Sequence, residues 1–448
     1  MNYLKLLLTF FNFSDIKGTL SSKVVKDTGK VFSSSILATG ITFIGSLVTL
    51  KVLEVNAIGS LVAYNNIGAI VAGIALSGIN ISFVRYLSLY LKKDTNVAGL
   101  LIKKIFILEF LLGVVSLIIL FIFAPTIANS IFHKPELALF IKLAGINILF
   151  SIVFSFFKTL FQSQQKFTLF SVLTFSQATL TTLVIILFTV LKMLTAVNVI
   201  YIGIASNLIF IFIGLFYFLK YRVIVKTGSI LPRGLLKEMF HYSKWLIVMA
   251  IASLLFQKTD IFMLTSMVSL DQVAYYSFAN TIYATFLIIL TAINTVLLPK
   301  ISSFQKPQEF IGATKKIQKF SFLITIIILP TFFFIKPLTI LIFQQKFTES
   351  MPVLYVLLIS LVVSIILNPI VNMLLVLKKV KFMSMVTAAI LVLNIIGNII
   401  FIPKYGIMGA VWVTVISYIT SNVVLFIKIR LELKKMSQLS KGSLVNST

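Results

Sequence analysis

Four ionisable residues stand inside or at the ends of long apolar runs: Arg85, Glu109, Lys258 and Asp260. A charge in such a place is costly unless it is paired, wetted or used, so each is a functional candidate. Lys258 and Asp260 lie two residues apart in KTDIFMLTSM. On a helix that spacing turns them about 200° from one another, so they cannot share a face. Asp260 falls on a stripe with Ser253, Gln257 and Leu264 and is expected to face a polar cavity or the interior of its helix group. A carboxylate held there suits proton or sodium coupling. Lys258, on the other side, either holds an anion or snorkels to the surface. Arg85 and Glu109 sit at similar depth on successive spans. They are expected either to pair across that hairpin as an anchor, or to act separately, Arg85 on an anion and Glu109 as a second coupling candidate. Asn80 and Asn294 occupy matching places in SGINISFVRYL (77–87) and TAINTVLLPKI (291–301) and are candidates for a polar ligand. The other amides of the apolar runs, among them Asn147, Gln177, Asn207, Asn368, Asn394 and Asn398, are expected to bond helix to helix. Tyr275 and Tyr276 read as interfacial belt residues.

Several chemistries are excluded at once. With no cysteine there is no thiolate nucleophile, disulfide or thiolate metal site, and His133 and His241 alone do not build a metal centre. No glycine-rich phosphate cradle is present, so ATP is not used directly. No cofactor is called for. The net charge of +27 does not point to nucleic acid, because the basic residues fall in short loops between apolar runs, the pattern of membrane topology and attraction to anionic lipid.

The elements that must position these residues are membrane spans. Of 448 residues 59% are hydrophobic and 11% charged. The uncharged stretches 55–84, 167–191 and 193–219 each exceed the about 20 residues a bilayer crossing needs. The pattern predicts an all-α, polytopic membrane protein with spans at 31–53, 57–82, 105–130, 137–158, 167–191, 195–219, 243–268, 273–298, 319–343, 351–376, 382–403 and 406–428. Placing the N-terminus in the cytoplasm leaves Lys51, Lys134, Lys142, Lys192, Lys336, Lys346 and Lys404 on the outer side and Lys258 deep in a span; the rest of the 39 Lys and Arg fall inside. That asymmetry predicts both termini in the cytoplasm. The apolar segment Leu6 to Phe13 is short and reads as interfacial.

The chain divides into an N-terminal segment (1–30), a six-helix lobe (31–219), a basic linker (220–242), a second six-helix lobe (243–428) and a tail (429–448). Similarity between the halves at an offset of about 214 residues suggests an internal repeat. The stretch HKPELALFIKL (133–143) is set against ESMPVLYVLLI (349–359), and Lys166-Phe167 against Lys381-Phe382. Six is even, so the repeats would be parallel, related by a pseudo-two-fold along the membrane normal, with a cavity between the lobes suited to alternating access.

The order of features resembles the polysaccharide flippases of the multidrug/oligosaccharidyl-lipid/polysaccharide exporter superfamily, over about residues 20 to 430. The carriers are Gly59 with Tyr64, GINISFVRYL (78–87), KTDIFMLTSMVSLDQVAYYSFAN (258–280), LLPKIS (297–302) and, above all, LNIIGNIIFIPKYGIMGAVWVTVIS (393–417). In the last, Pro403 is expected to end one helix, Gly406 to free the turn, and Gly409 with Ala410 to allow close packing. The resemblance implies a transporter, not an enzyme, of the bacterial cytoplasmic membrane. It would move a lipid-linked oligosaccharide, usually on undecaprenyl diphosphate, to the outer leaflet for surface polysaccharides such as O-antigen. Its partners would be that substrate, membrane lipids, and a polysaccharide polymerase or glycosyltransferases. It implies that Arg85, Lys258, Asn80 and Asn294 meet diphosphate or sugar, and that Asp260 and Glu109 serve coupling. A multidrug antiporter or lipid II flippase of the same superfamily, or a membrane-embedded polysaccharide enzyme, stand as alternatives.

Overall fold

Apolar runs in a bilayer must satisfy their backbone groups internally, and among the described residues every regular element is helical. The computed structural model describes residues 23–77, 79–220, 232, 234–302, 304 and 307–445. The helices are α1 Lys23–Val52, α2 Val55–Leu76, α3 Ile79–Lys93, α4 Thr95–Thr126, α5 Leu137–Ser163, α6 Phe167–Val190, α7 Ala196–Lys220 and α8 Leu235–Met267. They continue with α9 Leu270–Ser302, α10 Pro307–Ile328, α11 Thr331–Phe343, α12 Ser350–Val371, α13 Met373–Val376 and α14 Val380–Val445. The expected interfacial segment Leu6 to Phe13 and most of the linker lie outside the described residues.

Among the described residues ten helices are long and apolar enough to cross a membrane. One of these covers Val380–Gln438 and turns sharply at Gly406, which makes it two spans. The 33-residue α9 supplies another. The expected twelve spans are thereby accounted for. Large exposed apolar side chains such as Phe333, Leu341, Phe212 and Ile122 are what a lipid-facing surface requires.

The boundaries depart from expectation at five places. The second span stops at Leu76, and the chain starts a separate helix at Ile79. Arg85 therefore lies within the short α3 rather than at the end of a span. The helix of the third span, α4, begins at Thr95, capped by Asp94 Oδ1, which accepts from the amides of Asn96 (2.9 Å) and Val97 (3.3 Å), and it ends in a π turn, Ile127–Ile131, just after Pro125. The ninth span starts at Pro307 and bends at Leu329-Pro330, while Pro337 stays inside α11. Pro403 also stays helical; the break comes at Gly406, with φ +56° and ψ −136°, a conformation suited to glycine. Beyond 428 the expected polar tail continues α14 as helix to Val445.

The repeat is visible in the backbone. His133, Gln165 and Lys192 have positive φ, and so do Gln344, Lys378 and Gly406, in the same order a little over two hundred residues on. Each ends a helix. The helix start after Lys166 is matched by the one after Lys379, so the two Lys-Phe pairs are not equivalent; the register differs by two residues from the expected one.

Packing gathers the chain into two compact units that do not follow the halves. Unit one comprises Met1–Val52, Ile79–Ile118 and Ile146–Phe240. Its core is aromatic: Phe83 stacks on Phe156 at 5.7 Å, and Phe106 meets Phe156 edge-on at 5.1 Å. The buried residues Leu87, Leu101, Leu160 and Phe161 surround them. Unit two comprises Leu53–Gly78, Ile119–Gly145 and His241–Thr448. In it α2 presses on the start of α9: a Cβ at Gly59 would lie 2.1 Å from the Leu270 carbonyl oxygen, so only glycine permits the approach.

Candidate functional site: a buried carboxylate in unit two

Asp260 lies two turns from the end of α8 and is buried, 5% exposed. It belongs to a buried stripe with Ala252, Phe256 and Leu264. Gln257, expected on the same stripe, is exposed. The carboxylate faces the interior of its helix group. Asn398 Nδ2 donates to Oδ1 at 2.7 Å, and Tyr276 OH donates to Oδ2 at 2.7 Å. Thr414 Oγ1 donates to Oδ2 as well. Asn398 Nδ2 also reaches Asn394 Oδ1 at 3.2 Å, and Asn394 Nδ2 reaches Thr414 Oγ1 at 3.4 Å. Four helical segments thus meet at one carboxylate: α8, α9 and both arms of α14. Gly406 makes this possible by folding the second arm back, and Gly409 lets the arms touch, since a Cβ there would lie 2.3 Å from the Phe401 carbonyl oxygen.

The partners divide by how readable they were. Asn394 and Asn398 were expected to bond helix to helix, and do. Tyr276 is no belt residue; it is 2% exposed and serves Asp260. Thr414 carried no signal of its own beyond its place in the family-like segment 393–417.

Lys258 takes the opposite side of α8, as two-residue spacing requires, and is half-buried. Its carbonyl accepts from Asn66 Nδ2 of α2 at 2.9 Å. Asn294 Nδ2 donates to Asn368 Oδ1 at 3.1 Å, and Asn372 Nδ2 donates to the same oxygen at 3.1 Å, while Asn294 Oδ1 is buried with no donor. Asn80 Oδ1, in unit one, also lacks a donor. Arg85 is exposed on α3. Glu109 is 1% exposed, and neither of its oxygens accepts a hydrogen bond. The expected pairing of Arg85 with Glu109 is therefore not made. The two were read as ends of one hairpin, but α3 is a separate amphipathic helix and carries Arg85 on its open side. A second amide chain sits in unit one, where Gln177 Nε2 donates to Asn207 Oδ1 (2.7 Å) and Asn207 Nδ2 to Asn147 Oδ1 (2.9 Å).

A family described as Polysaccharide biosynthesis protein matches residues 87–352, more than half of the chain. The chain belongs to this family. No curated protein matches it by sequence. Among solved structures it is similar to an inward-facing multidrug resistance MATE family transporter of the MOP superfamily, with TM-score 0.76, 13% identity, 89% of this chain and 95% of that one. It is similar to the lipid II flippase MurJ in an inward closed conformation, with TM-score 0.70, 16% identity, 92% of this chain and 90% of that one. An outward-facing MATE family transporter gives TM-score 0.62 at 14% identity, over 94% of this chain and 98% of that one. This polysaccharide biosynthesis protein therefore shares the fold of these MOP transporters, and its long apolar helices make it a multi-pass membrane protein.

Proposed function

We propose that the protein carries a lipid-linked oligosaccharide, on a carrier such as undecaprenyl diphosphate, from the cytoplasmic to the outer leaflet of the cytoplasmic membrane by alternating access. The observation that carries this reading is the meeting of a polysaccharide-biosynthesis family with a fold shared by a lipid flippase. A sugar diphosphate cannot cross hydrocarbon unaided, because burying its charge is prohibitive. The biased distribution of Lys and Arg supports cytoplasmic termini.

Arg85, in unit one, and Lys258, in unit two, are each cations suited to phosphate. The bare amide oxygens of Asn80 and Asn294 are free to accept sugar hydroxyls. Asp260 is the coupling site, for a proton or for sodium as a co-transported ion. The hydroxyls of Tyr276 and Thr414 donate to the charged carboxylate and can turn to accept or to ligate when it is neutralised. Asn398 Oδ1, buried beside it without a donor, fits a cation ligand. Glu109 is a second acid for coupling in unit one.

The test is the sidedness of lipid-linked glycan in cells depleted of the protein. Accumulation of glycan-lipid shielded from an external impermeant glycan-modifying enzyme supports the reading. Unchanged amount and exposure, with redundant flippases deleted, would overturn it in favour of a small-solute antiporter.

A further inference from the structure

Two lysines on the face opposite the termini each end on a backbone carbonyl at the end of a helix from the other half of the chain. Lys134 Nζ donates to the Thr265 carbonyl at 2.6 Å, in the last turn of α8, and also to the Phe132 carbonyl at 3.4 Å. Lys346 Nζ donates to the Leu53 carbonyl, immediately past α1. All these residues lie in unit two. The lysines hold near-equivalent places in the repeat: Lys134 lies one residue past the positive-φ turn at His133, and Lys346 two residues past the one at Gln344. Their acceptors correspond too, at the ends of the first and seventh spans. The contact is made twice, once in each direction.

Helix C-termini suit this role. Their last carbonyls lack intrahelical partners and carry the negative end of the macrodipole, so an ammonium there makes a charge-assisted hydrogen bond. Burial pushes the Lys134 amine below its ordinary range, offset in part by Glu136. Burial does the same at Lys346, offset in part by Glu54. Poor solvation of this kind strengthens the bonds that are made. Next to the Lys134 contact the packing is aromatic: the Phe132 and Phe262 rings meet edge-on at 5.2 Å. Topology does not account for these lysines, because this is the face from which positive charge is depleted.

We propose that Lys134 and Lys346 form a two-part latch that holds the far-face ends of the first and seventh spans closed, and that both bonds break in every transport cycle. The proposal rests on the alternating-access reading above. It extends that reading by naming what must be released before the far side opens.

The chain has no cysteine, so Ser60→Cys on α2 introduces a single thiol. Ser60 is 4% exposed, next to Gly59 where α2 meets α9. The purified protein in lipid nanodiscs, with both faces open to reagent, is treated with a polar maleimide, and the rate of labelling is read. The parent is expected to label slowly. Lys134→Met and Lys346→Met, which keep an apolar stem, are each expected to speed labelling roughly tenfold, and the pair together more, as the loss of one and two charged hydrogen bonds demands. Lys134→Arg and Lys346→Arg, which keep a donor, are expected to stay near the parent rate. Parent-rate labelling of a correctly folded double Met variant overturns the latch, and so does fast labelling of the parent. Should the double variant fail to fold, the single variants decide, and parent-rate labelling of either one overturns it. No substrate is present in the assay, so its failure leaves the flippase reading standing. Failure of the glycan-sidedness test leaves this assay standing as a statement about the gate.

Discussion

Asp260 is held by three donors, and each variant of it loses something different. Asp260→Asn keeps the volume and removes the charge. Its melting temperature should stay close to the parent's, while ion-driven transport in proteoliposomes falls to background; normal transport would remove Asp260 from coupling. Asp260→Leu leaves the Asn398 amide and the Tyr276 and Thr414 hydroxyls buried without an acceptor. At about 1–3 kcal/mol for each unsatisfied group, it should be strongly destabilised in thermal unfolding. Glu109 presents the opposite case. Its carboxyl is buried with no hydrogen-bond donor, so Glu109→Gln should leave stability unchanged or raise it by about 1 kcal/mol. A fall in transport together with that gain would assign Glu109 to function, since sites that cost stability are kept for activity. Asp260 was legible because a charge inside a span stands out in any reading. Its partners Asn398 and Thr414 are 138 and 154 residues away in the chain, and no local pattern joins them to it. Tyr276 was misread because a tyrosine near the start of a helix has the same spacing whether it faces headgroups or a buried acid.

At the scale of elements, the turns carry strain that can be weighed. Gln344 takes φ +56° and ψ −132°, nearly the geometry of Gly406 at φ +56° and ψ −136°. Such backbone costs a side chain about 1–3 kcal/mol. Gln344→Gly should therefore stabilise the protein and Gly406→Ala destabilise it, each by about 1 kcal/mol or more, as read by melting temperature in detergent. Gly406→Ala should also weaken the Asp260 network, because the second arm of α14 brings Thr414 to it. Helix existence was readable from apolar length alone. Breaks were not: Pro403 was expected to end a helix and is tolerated inside one, whereas α2 ends at Leu76, just before Ser77-Gly78, where the span was expected to run on to residue 82. A proline interrupts one hydrogen bond, and a neighbouring helix can make up for it. Whether a helix stops depends on what packs beyond it, and here that is the aromatic core that captures α3.

For the whole molecule, replacing the protein by the Asp260→Asn form in cells should reproduce the depletion phenotype, with lipid-linked glycan protected from external enzyme. Normal surface glycan in that strain would separate coupling from transport. Similarity of fold without similarity of sequence, 13–16% identity over about nine-tenths of the chain, has a plain cause. In a bilayer almost any apolar side chain serves a lipid-facing position, so the constraint falls on span number, charge asymmetry and a few small or polar residues between helices.

Composition and run length by themselves determined that the chain crosses the membrane about twelve times, because the bilayer sets a length that apolar helices must meet. The resemblance, carried by the order of a few small and polar residues, pointed to the superfamily. The tertiary structure alone decided which polar groups meet. It brought Tyr276, Asn394, Asn398 and Thr414 to Asp260, kept Arg85 from Glu109, and set two lysines on two helix ends. Those contacts join residues far apart in sequence, and within a lipid-soluble segment a polar side chain has no local periodicity to announce its partner.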